Sequence, residues 1–398
     1  MSTTIAAIIA TLITTGMTSA VSHDFTLIGG SLATGLFAGS VVVRRNASVY
    51  PFFMLGTFAA VILALVSSEA NSSVFSNTMH VLLMYISLIG LAFSSPDLSN
   101  FCRQLMMANN LLLTAWILYQ GYYAKPLQAW QISNPSGLAN IMPAQLNMTL
   151  PLVLMRIHDS TGNKKLAYIA LICLNCVAVF LVMSRNGIGA MLIILTLHFL
   201  YNHKRMAVVA IATIMGLVQS FDSIAQIPAI NYLLVKLRFT GYQPSVPRFV
   251  IWQVAWDNIK LHPLLGVGPG GPKKALSIIG GYHAHNNYVQ AALETGIPSA
   301  MIIAAMFLVL LWQPIKTLFM NRERFVFTLP IIAYFSYSWT AMPLACPGVT
   351  LLLAACVHEY RIAAQEQGKK QKQERDRKML LVRSPLRPGV PGSIKRSA

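Results

Sequence analysis

The run His283-Ala284-His285-Asn286 carries the strongest chemical signal in this chain. It closes a polar, glycine-rich stretch, Pro247 to Gly296, in a sequence that is otherwise mostly apolar. A neutral imidazole accepts a proton near pH 7 and can act as a general base. The alternate-residue pair His283 and His285 is open to two other readings, a pair of metal ligands or histidines that only pack. A metal site wants a third ligand, usually a carboxylate or a cysteine. The carboxylates that share a side of the chain with this pair are Asp24, Glu69, Asp222, Asp257 and Glu294, and none is paired with another. The reading carried forward is catalytic or substrate-binding, without metal or cofactor.

Upstream, Pro247 is suited to the first turn of a helix, and His262-Pro263 to its end. The spacing predicts a helix from Arg248 to about Leu261. Gln253, Asp257 and Lys260 form one polar stripe, whereas Arg248 shares a face with Trp252, Ala255 and Ile259. Arg248 is therefore expected to point toward protein or membrane, where a guanidinium needs an anion. The segment Gly266-Val267-Gly268-Pro269-Gly270-Gly271 lacks the Lys-Ser/Thr ending of a P-loop and follows no strand. It reads either as a plain flexible loop or as a tight connector whose backbone amides approach a ligand.

These residues must be positioned by membrane helices. The chain has 398 residues, 55% hydrophobic and 11% charged, against about 25% charged in a soluble domain. Apolar runs near the length of a bilayer span recur twelve times, at roughly 4–22, 25–43, 50–68, 78–96, 104–122, 137–155, 166–183, 187–201, 206–222, 297–313, 325–341 and 345–360. The expectation is an all-α integral membrane protein. Residues 1–223 form an N-terminal bundle, 224–296 a long outer loop with short helices, 297–360 the remaining spans and 361–398 a tail.

Basic groups at Arg44-Arg45, Arg103, Arg156 to Lys165, His203 to Arg205, Lys316 to Arg324 and in the tail all fall on one side of twelve spans. That side is the cytoplasm, and both termini lie there. The net charge of +18 therefore points to lipid headgroups rather than to nucleic acid, because eleven Lys/Arg follow Tyr360 against Glu366, Glu374 and Asp376. The tail is expected to be disordered. Arg185, in the turn Ser184-Arg185-Asn186-Gly187, breaks the rule, as do Lys236, Arg238, Arg248, Lys260, Lys273 and Lys274. Basic groups placed on the outer side suit an anionic ligand there, or lipid headgroups reached by snorkelling. Cys173-Leu174-Asn175-Cys176 has the C-x-x-C spacing, but on a membrane helix the two are only neighbours.

The string Arg248-x3-Trp252-x9-His262-Pro263-x2-Gly266-x-Gly268, followed by His285-Asn286, nine residues and Gly296, resembles the O-antigen ligase and polymerase superfamily, bacterial membrane glycosyltransferases of the GT-C type. Ser184-Arg185 resembles a second family marker, an arginine at an outer helix turn. The spacing from His-Asn to Gly is closer to the lipid A-core ligase branch than to the polymerases, although the ligases, the polymerases and the protein O-oligosaccharyltransferases share this loop. The resemblance implies an inner-membrane enzyme with an undecaprenyl-diphosphate-linked glycan as donor and a lipid A-core or other glycan acceptor. It implies that Arg185 and Arg248 take up the charge of the departing diphosphate and that His285 is the base, giving inversion without metal. His283, Trp252, Asn286, Gly268 and Lys273 are the expected substrate contacts. Two other classes fit less well. A twelve-span transporter usually carries midplane charges and repeated halves, and a scaffold protein has no use for this loop.

Overall fold

The computed structural model describes residues 99–123, 141–182, 184–202, 247–268, 271–279, 283–316, 322–338 and 347–383, with a few isolated positions besides. The regular structure among these residues is helical throughout: α1 (Ser99–Tyr123), α2 (Ile141–Asp159), α3 (Gly162–Leu181), α4 (Arg185–Asn202), α5 (Arg248–Leu261), α6 (Gly271–Ala275), a 3₁₀ turn at Ser277–Ile279, α7 (Asn287–Lys316), α8 (Arg322–Ser338) and α9 (Pro347–Arg383). Seven of the expected spans lie on described helices, α1, α2, α3, α4, α7, α8 and α9, with α7 beginning well before its span and α9 running well past it. The spans at 4–22, 25–43, 50–68, 78–96 and 206–222 lie outside the described residues. One described helix, Gly162–Leu181, is long and apolar enough by itself to cross a bilayer, and the apolar stretch Phe325–Ser338 is shorter.

The bundle is built around α2, which is buried continuously from Ile141 to Met155. It packs against α1, α3, α4, α8 and α9. Polarity is arranged inside out. α3 exposes Leu166, Ile169, Leu174, Val177 and Phe180 but buries Asn175. The Asn175 amide exchanges two hydrogen bonds with that of Asn110 on α1, at 2.8 and 3.0 Å. Asn110 also donates to Thr149 Oγ1 of α2 at 2.9 Å. Apolar side chains outward, with polar groups satisfied between helices, is the arrangement a lipid environment favours.

Contacts between helix ends show how the bundle is threaded. The Asn147 amide near the start of α2 donates to the Gly187 carbonyl, in the first turn of α4, at 2.8 Å. It also donates to the Tyr337 hydroxyl, at the end of α8, at 3.0 Å. Two helix beginnings and one helix end therefore meet, as consecutive up-and-down spans require. Elsewhere Arg103, near the start of α1, pairs with the fully buried Glu359 of α9. α9 corrects the expectation of a disordered tail, because it continues through Arg383. At 37 residues it is about 55 Å long, well beyond a hydrocarbon core of about 30 Å. Its exposed basic half must lie outside that core, and Glu374 to Lys378, paired at 3.1 Å, supports the helix there.

Candidate functional site

The segment from α5 to the start of α7 forms a small core of its own, in which Ile251, Ala255 and Ile259 of α5 pack with Leu276 and with Ala292 and Leu293 of α7. α5 runs over the expected residues, with Pro247 as its N-cap and His262 as its C-cap. Asp257 and Lys260 of the polar stripe are exposed and paired at 3.2 Å. Arg248 differs from expectation. It heads the row that leads to Ile251, Ala255 and Ile259, but its own side chain is exposed at the open end of that row. The half-buried Trp252 turns its indole N–H onto the Ala284 carbonyl at 2.8 Å. It thereby ties α5 to the residue between the two histidines.

That residue is fully buried, whereas His283 and His285 on either side project outward. His285 has φ +52°, the left-handed region that a residue with a Cβ seldom adopts. Asn286 is buried, and its Oδ1 accepts the backbone N–H groups of Tyr288 at 2.9 Å and Val289 at 3.2 Å. It is thus the N-cap of α7. The structure gives Asn286 this positioning role.

Arg185 opens α4, with its side chain exposed. Its turn is fixed from three directions. Ser184 Oγ accepts the Gly187 N–H at 3.2 Å, and Asn147 holds the Gly187 carbonyl. A Cβ on Gly187 would lie 2.6 Å from Pro143, so the turn sits directly on α2.

The Arg248, His283 and His285 side chains keep solvent-facing surface but are partly shielded by the surrounding protein. That partial desolvation, and then the positive charge of Arg185, lowers the proton affinity of Arg248. Burial, then Arg248, then His283, lowers the pKa of His285 below the ordinary imidazole value. Burial lowers that of His283 as well. Each histidine is therefore biased toward the neutral form, in which one ring nitrogen accepts a proton. Among the described residues none of the ion pairs involves Arg248. The charge of Arg185 thus acts on Arg248, and that of Arg248 on His285.

The glycine loop serves packing. The Val267 N–H donates to the Leu293 carbonyl at 2.7 Å and the Gly268 N–H to the Glu294 carbonyl at 3.0 Å. The Gly268 amide is thus engaged by α7. Gly296 lies inside α7 at φ 85° and ψ 168°, a kink against which Leu264 and Leu265 press. Lys273 is exposed on α6 and is not among the charges that act on His285. Among the described residues the cluster of three metal-ligand side chains is Cys102, His358 and Glu359, on α1 and α9 and away from this loop. There the Arg103 guanidinium already balances the Glu359 carboxylate.

Residues 169–304 match the model of a protein family described as O-antigen ligase. The matched segment holds Arg185, Arg248, Trp252, His283 and His285. No curated protein matches the chain. The family match supports a membrane-associated enzyme of the O-antigen ligase or polymerase type, acting on glycan and lipid-linked substrates in lipopolysaccharide biosynthesis.

Proposed function

We propose that this chain, whose residues 169–304 match the O-antigen ligase family model, moves a glycan from undecaprenyl diphosphate to a hydroxyl of a lipid A-core acceptor at the periplasmic face of the inner membrane. The observation that carries this reading is the family match over residues 169–304, which holds Arg185, Arg248, His283 and His285, and it is supported by the charge of Arg185 acting on Arg248 and that of Arg248 on His285. An anion site and a proton acceptor are what this displacement needs.

The donor's leaving group is a diphosphate, already stable as an anion, so no general acid is required. The acceptor hydroxyl gives its proton to His285 as its oxygen bonds to the anomeric carbon. On the opposite face, the bond from that carbon to the diphosphate oxygen breaks, and the electron pair leaves with the oxygen. Arg185 and Arg248 stabilise the charge that develops there, with guanidinium forks suited to phosphate. Attack opposite the leaving group inverts the anomeric centre. His285 then returns its proton to water. A double displacement would call for a carboxylate pair. The carboxylate nearest in sequence, Glu294 of α7, is instead engaged by the Gln290 amide, and burial pushes it up to about 7. His285 acts in this reading as a base and not as a metal ligand.

The spacing of His285-Asn286 to Gly296 favours the ligase branch. Deleting the gene and separating the lipopolysaccharide by electrophoresis tests the assignment. A ligase predicts loss of all long glycan from lipid A-core, with lipid-linked donor accumulating. A band carrying a single repeat would mean a polymerase, and normal lipopolysaccharide with unglycosylated protein would mean a protein O-oligosaccharyltransferase.

A further inference from the structure

The histidine turn is held from behind by two side chains that the mechanism above does not use. The Ala284 N–H donates to Gln290 Oε1 at 2.8 Å. The other end of the same amide, Gln290 Nε2, donates to Glu294 Oε1. On its opposite side, the Ala284 carbonyl accepts the Trp252 indole N–H. Both backbone polar groups of Ala284 are therefore engaged by side chains, one from α5 and one from α7. One residue further on, Asn286 is pinned as the α7 cap, and its carbonyl accepts the Gln290 N–H at 2.9 Å. His285 is the residue between these two anchors, and its backbone is left-handed there.

Asn286, Gln290 and Glu294 are spaced i, i+4, i+8, so successive turns of α7 present them on one face. Their functions are complementary. A glutamine amide can be placed either way round, but only its oxygen suits the Ala284 N–H. The Glu294 carboxyl selects that orientation, because it accepts from the NH₂ end. Glu294 is itself tied through its backbone carbonyl to Gly268. The glycine loop, α5 and α7 thus converge on Ala284.

We propose that Gln290 and Glu294 are positioning residues that fix the imidazole of His285 for proton transfer by holding Ala284 in place. The inference rests on the reading of His285 as the base. It adds a device that keeps the ring in register while the acceptor approaches.

The test uses the purified full-length enzyme, lipid-linked glycan extracted from a deletion strain and lipid A-core from the same strain. A reacting group displaced by about 1 Å loses on the order of 10²-fold in rate. Gln290→Leu should therefore lower kcat by about 10- to 100-fold with KM for the lipid-linked donor nearly unchanged. Glu294→Ala should act in the same direction. Glu294→Gln, which keeps an acceptor oxygen for the Gln290 amide, should recover most of the lost rate. In a His285→Ala background, Gln290→Leu should cost little more, since the group it positions is gone. Wild-type kcat in Gln290→Leu, or the same loss with and without His285, would overturn the proposal. Should Gln290→Leu fail to accumulate, Glu294→Gln against Glu294→Ala decides, and equal rates for the two overturn it. A wild-type rate in His285→Ala alone would refute the base reading, and that outcome is read separately from the others.

Discussion

Replacing Gly296 by alanine should abolish glycan transfer while leaving the helix bundle folded. The backbone there, φ 85° and ψ 168°, lies in a region that only glycine visits freely, and another residue pays about 1–3 kcal/mol to remain in it. The new Cβ would lie 2.8 Å from the Leu265 nitrogen and closer still to the Leu264 carbonyl. Those atoms are backbone, so the loop itself must move. Three hydrogen bonds depend on its place: Ile297 N–H to Pro263 at 2.8 Å, Val267 N–H to Leu293 at 2.7 Å and Gly268 N–H to Glu294 at 3.0 Å. At a net value of about 1 kcal/mol each, their loss and the backbone strain together reach about 4–6 kcal/mol. That is enough to disassemble a surface loop, and a loss of activity of at least about 100-fold follows, since 1.36 kcal/mol is tenfold. Gly189→Ala is the control. It lies within α4 with nothing inside 4 Å of a new Cβ, and alanine there should be neutral or stabilising by about 0.5–1 kcal/mol. The assay is lipopolysaccharide electrophoresis in a deletion strain, with protein level and thermal melting in detergent measured in parallel. Wild-type glycan from Gly296→Ala at normal protein level would refute this account of the kink.

Arg185→Lys and Arg248→Lys should each lower transfer by roughly 30- to 1000-fold, because a point charge replaces a bidentate fork and about 2–4 kcal/mol of transition-state stabilisation is lost. Steady-state kinetics on purified variants would check this. His285 is active as the neutral base and its pKa is lowered by burial and by Arg248, so activity should hold below pH 6.5 and fall only as pH drops further. Arg248→Gln removes one of the cations opposing protonation and should move that acid limb to higher pH in the pH–rate profile of the residual activity. Asn147→Leu should lower the melting temperature, with about 1–3 kcal/mol lost at the Gly187 carbonyl and Tyr337 hydroxyl, and should impair transfer through the Arg185 turn. Tyr337→Phe, which spares the bond to Gly187, should be milder in both assays.

Much of the site was legible because it is local. Pro247 and His262-Pro263 bracket α5 in the sequence as they do in the structure. Ser184 to Gly187 read as a turn and forms the start of α4. The exposure of Arg248 was not legible, since the helical wheel gives its row but not where the packed part of that row ends. Nor was the use of the glycine amides, because a glycine pattern shows conformational freedom and not which carbonyl takes the N–H. Gln290 passed unnoticed in sequence, although its spacing from Asn286 and Glu294 puts all three on one face of α7. Its partner at Ala284 becomes visible only when Trp252, 32 residues earlier in the chain, arrives on α5. The charge run of the tail reads as disorder, but the segment to Arg383 is helical. Its Gln, Lys, Glu, Arg and Ala residues are strong helix formers, and they continue a helix that has already been nucleated by packing.

The most direct test of the central claim is transfer in vitro from a polyprenyl-diphosphate glycan by wild type and His285→Ala, with and without EDTA. General-base assistance is typically worth about 10²–10⁴-fold. The account predicts that His285→Ala inserts and binds donor but loses activity within that range, and that wild type is indifferent to the chelator. Wild-type rates in His285→Ala, or activity abolished by EDTA and restored by a divalent ion, would contradict it.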